Sequence, residues 1–463
     1  MRTHPLSTGI FHIIGIGGIG MSGIAEVLHQ LGHTVQGSDQ SENANVERLR
    51  KQGITVFIGQ KAENVKNATT IICSSAIKKS NPEVAAAHKS KLPVISRAEM
   101  LREIMRYKST VSITGTHGKT STTSLMATLL LHAKLDPTIL NGGILTDIKS
   151  NARVGKGDWM VVEADESDKT FIEIPTTIGV ITNIEPEHME NYDNSFKVLK
   201  EAFIKFANDV PFYGFSIVCL DHPNVKEILP HITRPYITYG TEAKADCRAT
   251  NVKASPDGMR FDVSFEGHTL KDVHIPLHGI HNVLNTLSVI VVGYKLNLSD
   301  KVIKESLASF AGVKRRFTKT GEVHGVTIID DYGHHPTEIA AVLKAAKQVT
   351  PHRVIAIVQP HKYTRLQNLF KEFSACFSDA DELILAPVFE AGESPIDGIN
   401  HKTLAAAAQK HFKGPIHAIM SEDELPALLQ KSAKKGDYII CLGAGTISKW
   451  AYDLPKKLEP LLG

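Results

Sequence analysis

Short apolar runs rich in β-branched residues alternate along this chain with stretches whose apolar positions recur at helical spacing. Between Phe11 and about Arg106, the runs Phe11–Ile14, Thr34–Gly37, Thr55–Ile58, Thr69–Cys73 and Val94–Ile95 read as strands. Ile19–Leu31, Asn45–Gln52, Pro82–His88 and Arg97–Met105 read as helices, and Pro82 suits a first helical turn. Such alternation predicts a parallel sheet with crossover helices. The pattern restarts at Val111, with strands Val111–Thr114, Trp159–Glu163 and Ile178–Asn183 and a helix over Thr122–Leu131. The period changes to two in Cys247–Ile275, where Phe261, Val263 and Phe265 alternate and Pro256-Asp257-Gly258 signals a turn; a hairpin insert is expected there. From near His281, Val283, Leu284, Leu287 and Ile290 fall at helical spacing. A third block starts near Thr320, behind a boundary marked by Lys314–Arg316 and Gly321. Its strands are Val326–Asp330, Val354–Val358, Glu382–Pro387 and Tyr438–Leu442, and its helices Pro336–Lys347 and Arg365–Ser374.

Three blocks in 463 residues agree with a length of about 150 residues per domain. The expected α/β domains span 1–107, 108–318 and 319–463. Fifty-two Lys and Arg against 49 Asp and Glu leave a net charge of +3, too little over this length to point to nucleic acid or an acidic membrane. The five cysteines (Cys73, Cys219, Cys247, Cys376 and Cys441) are scattered and form no CxxC, which argues against disulfides or a zinc knuckle. Met1–Gly9 carries no secretory pattern, and no apolar run approaches the ~18 residues of a membrane span. A cytoplasmic protein without membrane insertion, monomeric or weakly dimeric, is expected.

Two glycine-rich loops carry different chemistries. Gly15-Ile16-Gly17-Gly18-Ile19-Gly20 is a GxGxxG between a strand and a helix, with Asp39 at the end of the next strand. Glycines there allow a tight turn and close approach of backbone to a pyrophosphate at a helix N-terminus. The same loop can also merely pack a helix on a strand, and it does not distinguish a dinucleotide from a UDP-sugar. Gly115-Thr116-His117-Gly118-Lys119-Thr120 is a shortened P-loop. Its N–H groups would cradle phosphates, Lys119 would reach the β/γ-phosphates, and the Thr120 hydroxyl would bind Mg²⁺. A P-loop also needs a carboxylate for its metal. Glu163, at a strand end, opens the cluster Glu163-Ala164-Asp165-Glu166-Ser167-Asp168 and is the best-placed candidate; a solvated acidic loop is the bland reading of the rest. His188 follows the strand Ile178–Asn183 and can reach the same cleft.

Asn282 and Asn285 are three apart on one helix, suited to an adenine edge or a phosphate-bound water, although Asn282 can also serve simply as a helix cap. Arg315 and Arg316 sit at the boundary to the third block, as an arginine finger or a basic linker. Asp330-Asp331-Tyr332-Gly333-His334-His335-Pro336 and Gln359-Pro360-His361-Lys362-Tyr363-Thr364-Arg365 both follow strands of that block. They would meet at the carboxyl ends of its sheet, where ligands bind. No zinc-ligand spacing accompanies the paired histidines.

Taken together, these residues resemble the Mur ligase family. GIGGIGM, SSAI, GTHGKTSTT, EADESD, NIEPEHM, GIHNVLN, GVKRRF, DDYGHHPTE, QPHKYTR and GAGTIS stand in family order from Phe11 to about Ser448. The resemblance implies an N-terminal Rossmann-like domain for UDP-N-acetylmuramate, a central P-loop ATPase-type domain and a C-terminal Rossmann-like domain that closes on ATP and the amino acid. It implies that ATP phosphorylates the lactyl carboxylate of the sugar nucleotide and that L-alanine attacks the acyl phosphate. Lys119, His188 and Arg316 would then be catalytic. Gly115, Thr116, His117, Gly118, Lys119, Thr120, Ser121, Asn282, Asn285, Arg316 and Asp331 would bind ATP. Gly17, Gly18, Gly20, Met21, Asp39, Ser74 and Ser75 would bind the sugar nucleotide, and His335, His361 and Arg365 would lie near the amino acid. Thr120, Glu163 and His188 would hold two Mg²⁺ ions.

The sequence departs from the family pattern in two places. Similar proteins often carry His where Gln60 stands and Arg where Lys362 stands; Lys362 keeps the charge but not the bidentate carboxylate geometry. Related ligases also use a carbamylated lysine after the His188 motif; Lys197, Lys200 and Lys205 are nearby, without a clear match. An NAD(P) oxidoreductase would leave the P-loop unexplained. A P-loop regulator that performs no ligation would show ATP turnover stimulated by a protein rather than by a UDP-sugar. Among the ligases, the nearest rival is a recycling enzyme that adds a whole tripeptide; the GIGGIGM loop favours a single amino acid.

Overall fold

A computed structural model describes residues 9–461, apart from Ser75, Lys79, Tyr107, Asp168 and Pro256. Three sheets carry the chain. The first is parallel, in the order β3-β2-β1-β4-β5: β1 (Ile10–Ile14), β2 (Thr34–Asp39), β3 (Thr55–Ile58), β4 (Thr70–Cys73) and β5 (Val94–Ser96). Helices α1 (Ile19–Gln30), α2 (Ala44–Lys51), α3 (Pro82–Lys89) and α4 (Arg97–Met105) connect its strands. Local chemistry sets where three of them start. Asn43 and Asn81 accept from the first-turn N–H groups of α2 and α3, and Ser96 forms a capping box with Glu99 at α4.

The second sheet runs β15-β14-β13-β12-β11-β10-β6-β9-β7-β8. Its central strands are β6 (Ser109–Thr114), β7 (Thr138–Leu145), β8 (Ser150–Arg153), β9 (Trp159–Glu163) and β10 (Ile178–Ile181). β11 (Phe215–Cys219), β12 (Tyr236–Gly240), β13 (Cys247–Ser255), β14 (Gly258–Phe265) and β15 (His268–Ile275) extend it on one side. The expected hairpin insert is therefore three strands continuing the main sheet, because β13 pairs in parallel with β12. Its turn residue Pro256 lies outside the described residues.

Helix α5 (Lys119–His132) begins at Lys119, three residues before the expected Thr122: Gly118 takes a left-handed φ of 82° and ends the loop there. Later helices are α6 (Phe196–Asn208), α7 (Pro223–Ile228), α8 (Ile280–Lys295) and α9 (Asp300–Ala308).

The third sheet is β16 (Thr318–Val323), β17 (Val326–Asp331), β18 (Val354–Val358), β19 (Glu382–Leu385), β20 (Ile416–Ala418) and β21 (Tyr438–Leu442), in the order β16-β17-β21-β18-β19-β20. Gly321, expected in the linker, lies inside β16 beside a register shift, where Pro455 occupies the space a side chain would need. The single helix expected over Arg365–Ser374 is two, α11 (Tyr363–Asn368) and α12 (Phe370–Ala375), after α10 (Pro336–Val349). Leu369 separates them by leaving helical backbone angles, at φ −117° and ψ 24°.

The chain divides into two compact units: residues 1–250, 262–273 and 284–311, and residues 251–261, 274–283 and 312–463. The first sheet and strands β6–β12 of the second lie in the first unit. Val27, Leu101 and Met105 of the N-terminal part join Leu140, Ala152, Met160 and Phe171 in one apolar cluster. Such burial drives the two parts together at about 25 cal/mol per Å² of apolar surface removed from water. All five cysteines are free, and four are buried. No helix among the described residues is long and apolar enough to cross a membrane.

A buried carboxylate ties the first sheet to its helix α3. Glu83 accepts from the Ser38 hydroxyl (2.6 Å), Asn64 Nδ2 (2.6 Å) and Lys61 N (3.3 Å), with His12 Nε2 at 3.5 Å. Burial alone would raise its pKa; the bonds from His12, Ser38 and Asn64 outweigh this and hold it below the ordinary 4.5. A lowered folded-state pKa contributes stability above the unfolded pKa and loses it as pH falls through the folded one. Glu83→Gln should therefore destabilise the first unit by about 1–3 kcal/mol at neutral pH. In urea unfolding monitored from pH 7 downward, the gap to the parent chain should narrow below about pH 4.5.

Candidate functional site

The two glycine loops leave the sheets at equivalent places. β1 lies between β2 and β4, and β6 lies between β9 and β10, so each loop follows a strand at which the strand order reverses. In open α/β sheets this is where a crevice forms at the strand ends.

The first loop is strapped to β2. Gly15 N and Ile16 N donate to Ser38 O at 2.8 and 3.0 Å. Gly17 N donates to Asp39 Oδ2 at 2.8 Å, and Asn45 Nδ2 donates to Gly17 O at 2.8 Å. A Cβ on Gly17 would stand 2.5 Å from Asn43 Nδ2 and 2.9 Å from Asp39 Oδ2, so glycine is needed for close approach. Asp39 thus spends one oxygen on the loop itself and the other on Gln40 N (2.8 Å). Ser74 packs beside Gly15, and Gly18 caps α1. Met21 is a packing residue, buried with Phe11, Ile13 and Ile24. Ser75 lies outside the described residues. Beside Gly20 stands Arg97, unnoticed in the sequence; its Nη2 donates to Thr170 Oγ1 at 3.3 Å.

The second loop is strapped to the segment after β10. Thr116 N donates to Asn183 O (3.2 Å) and His117 N to Asn183 Oδ1 (2.8 Å). Asn183 Nδ2 and the Thr182 hydroxyl donate to His117 O (2.9 and 2.7 Å), and Glu185 N donates to Thr116 Oγ1 (2.8 Å). Glu185 Oε2 stands 3.3 Å from His117 Nε2. At the helix start Lys119 folds back: Nζ donates to Gly115 O (2.8 Å), to Thr116 O (3.1 Å) and to Glu166, whose nearer oxygen is at 2.7 Å.

Burial works on both members of this pair. It pushes the Glu166 carboxyl up to about 7, against the attraction of Lys119 and with the help of Asp165. It would lower Lys119, but Glu166, Asp165 and Glu163 reverse that and hold the amine above its usual range. Two carbonyls and a carboxylate within hydrogen-bond reach call for three N–H donors, which the ammonium form of Lys119 supplies. The lysine's partner, for which the sequence named no residue, is Glu166, further pinned by the Tyr192 hydroxyl, which donates to its carbonyl.

Glu163 stands at the other side of the chemistry. It accepts from Gly142 N at 2.8 Å and from the Thr120 hydroxyl, and burial raises its pKa despite Lys119. Thr120 and Glu163 are thus brought together, two hard oxygen donors of the kind Mg²⁺ takes. His188 sits in a left-handed turn (φ 55°) with Nδ1 3.9 Å from Glu190. Asn285 is buried against Gly118, and Ser121 occupies the first turn of α5. Lys197, Lys200 and Lys205 on α6 pair with Glu201, Glu227 and Asp209.

In the second unit, loops after β17, β18 and β21 converge. Gly443 N donates to Asp331 O (3.1 Å), and Gln359 N to Leu442 O (2.9 Å). Buried Asp331 accepts from Phe317 N (2.8 Å) and Gly333 N (2.7 Å); burial raises its carboxyl to about 6, against the pull of Arg316. Arg316 and Arg315 lie over the Tyr332 ring, at 5.5 and 4.7 Å from its centre. His335 caps α10. His361 stacks on Phe389 and meets Arg365 Nη1 at 3.3 Å. Burial lowers it to about 4, with His334, Arg365 and Lys362 adding, so it is neutral at pH 7. Asn282 Nδ2 donates to His278 O (2.8 Å) and meets His281 Nε2 at 3.1 Å.

Comparison with known proteins gives three consecutive family matches. Residues 10–109 match the "Mur ligase family, catalytic domain", 113–293 the "Mur ligase middle domain" and 315–445 the "Mur ligase, glutamate ligase domain". A UDP-N-acetylmuramate–L-alanine ligase of Rhodospirillum rubrum is 52% identical, over 100% of this chain and 98% of its own. One of Brucella anthropi is 52% identical over 98% of each. The crystal structure of the UDP-N-acetylmuramate-alanine ligase of Thermotoga maritima superposes with a TM-score of 0.83 at 28% identity, covering 97% of this chain and 99% of that one.

The second loop's geometry makes a direct prediction. A Cβ on Gly118 would stand 2.8 Å from Asn285 Oδ1, at a φ of 82° that costs a non-glycine residue about 1–2 kcal/mol. Gly118→Ala should lower the melting temperature modestly and weaken binding of a non-hydrolysable ATP analogue by about tenfold or more, measured by calorimetry.

Proposed function

The chain belongs to the Mur ligase family, and from that premise we infer that it is an ATP-dependent ligase. It joins L-alanine to the lactyl carboxylate of UDP-N-acetylmuramate in peptidoglycan precursor synthesis. The observation that carries this reading is the presence, in one compact unit, of a pyrophosphate-type glycine loop and a P-loop with a buried ammonium. Neither a hydride-transfer enzyme nor a simple ATPase needs both. The names of relatives that match over almost the whole chain specify L-alanine, which favours one amino acid over a tripeptide as the nucleophile.

The chemistry follows from the carboxylate's resistance to amine attack. A lactyl oxygen attacks the γ-phosphorus of ATP; the bond to ADP breaks and an acyl phosphate forms. The neutral amine of L-alanine then attacks the acyl carbon. The tetrahedral centre collapses, phosphate leaves, and the nitrogen loses its proton to complete the amide. In this reading Lys119 exchanges its carbonyl partners for the β/γ-phosphate oxygens, while Glu166 keeps the ammonium aimed. Arg316 offsets phosphoryl charge from its place on Tyr332. Asn282, Asn285 and Asp331 serve the nucleotide; His335, His361 and Arg365 serve the amino acid. A neutral His361 is compatible with accepting a proton from the incoming ammonium.

Thr120 and Glu163 fit a Mg²⁺ ion, and we assign them, with His188, to two such ions. When bound, Mg²⁺ would neutralise phosphate charge. Gly17, Gly18, Gly20 and Ser74 would face the sugar nucleotide. The working domains are 1–107, 108–318 and 319–463, in a cytoplasmic monomer or weak homodimer.

Phosphate release from ATP, followed by a coupled assay, should require both UDP-N-acetylmuramate and L-alanine. Release that ignores the sugar nucleotide would rule the reading out. Lys119→Ala should lower the rate by about a hundredfold or more in protein that stays folded by circular dichroism, at a lower melting temperature because Glu166 loses its partner; full activity in that variant would remove the P-loop from the mechanism.

A further inference from the structure

A line of polar contacts runs between the two glycine loops, and no step of the ligation uses it. It starts where Asn45 Nδ2 donates to Gly17 O (2.8 Å). Arg48 donates from Nη1 to Asn45 Oδ1 and from Nη2 to Asn151 Oδ1, both at 2.8 Å. Asn151, on β8, turns its amide back to Ile19 O at the start of α1 (2.7 Å) and to Asn141 O at the limit of hydrogen bonding (3.5 Å). Asn141 Nδ2 donates to Ser124 Oγ (2.8 Å), and that hydroxyl donates to Thr120 O (2.7 Å) in the first turn after the P-loop. The residue beside Asn141, Gly142, donates to Glu163 (2.8 Å). Glu26 holds the middle of the line, accepting from Arg48 Nε (2.6 Å) and from Ser150 Oγ (2.7 Å). Glu26, Ser124, Asn141 and Asn151 are all buried.

We propose that Arg48 and Asn151 are positioning residues that fix the register between the two loops, so that the sugar nucleotide's carboxylate and the γ-phosphate of ATP meet in line. The proposal rests on the ligase reading. The two parts of the first unit also share an apolar cluster, but hydrophobic contact is non-directional and tolerates sliding. Hydrogen bonds to a forked guanidinium and a planar amide do not: they define distance and angle. Away from water, a slipped register leaves buried donors unpaired, so the arrangement holds together or fails together. Phosphoryl transfer needs its reacting atoms about 3–3.5 Å apart and aligned, and a displacement of about 1 Å costs on the order of a hundredfold in rate. Arg48 reaches both Asn45, which holds the first loop, and Asn151, which belongs to the sheet of the second. It is therefore the point at which a relative shift of the loops is resisted.

The test uses the full chain with Asn151→Ala and, separately, Arg48→Lys, which can keep the pair with Glu26 but cannot reach Asn45 and Asn151 together. Three quantities are read. These are kcat for phosphate release at saturating ATP, UDP-N-acetylmuramate and L-alanine; the Kd of UDP-N-acetylmuramate alone; and the Kd of a non-hydrolysable ATP analogue alone. We expect kcat to fall by about tenfold or more while each Kd moves by less than about threefold. Ser124→Ala, a milder change next to the P-loop, should show the same split at smaller size and keeps the test open if Asn151→Ala does not fold. An unchanged kcat in folded variants, or a loss matched by an equal weakening of either ligand, would overturn the proposal. Wild-type phosphate release that does not depend on UDP-N-acetylmuramate would overturn the ligase reading instead, so the two failures are distinguishable.

Discussion

The ammonium of Lys119, held by two loop carbonyls and the buried Glu166, is the interaction around which the first unit is organised. A buried charge without partners is expensive, and this one has a partner for each of its three N–H bonds. The same arrangement fixes the loop. Its carbonyls point at the lysine, and its backbone is strapped to Asn183 and Glu185, leaving a turn that opens onto the strand ends. Binding a triphosphate would then replace two weak dipolar partners with anionic oxygens, while Glu166 stays in place. A site built this way needs little reorganisation when charge develops, which is where electrostatic catalysis gains most.

The first loop is built by the same logic with different means. Here a carboxylate, Asp39, draws Gly17 N inward, and Asn45 takes up the Gly17 carbonyl. The relay through Arg48, Asn151 and Ser124 then connects the two constructions. In the ligase reading one compact unit presents both ligands, and the chemistry between them depends on a register set by side chains outside either glycine motif that bond to its backbone.

Much of this was legible in the sequence, and the parts that were not share a cause. Both loops announced themselves because glycine, a preceding strand and a following helix are local signals. Parallel strands are equally plain: Val354–Val358 is an unbroken apolar run, as burial on both faces demands, and Phe11–Ile14 is broken only by His12, which stands 3.5 Å from the buried Glu83. β7 was missed because its Asn141-Gly142-Gly143 carries no strand propensity; the reason for those residues is the Glu163 carboxylate packed against them, a partner far away in sequence. Glu163 is legible as the carboxylate for the P-loop's metal because it ends a strand, whereas the pairing of Glu166 with Lys119 is not, because spacing within an acidic cluster does not say which carboxylate faces the lysine. Asp39 looked like a ligand contact because its place at a strand end is right for one, yet its oxygens are engaged by Gly17 and Gln40. Arg97 and Asn151 had no motif at all: their importance comes from tertiary contacts alone.

In the ligase reading, the γ-phosphoryl group of ATP at the P-loop passes to the carboxylate carried by the other loop's ligand. Isotope transfer tests this without reference to any variant. UDP-N-acetylmuramate labelled with ¹⁸O in its lactyl carboxylate is turned over with ATP and L-alanine, and the released inorganic phosphate is analysed by mass spectrometry. Passage through an acyl phosphate places one labelled oxygen in each phosphate formed. Phosphate free of label, at full product formation, would contradict the account.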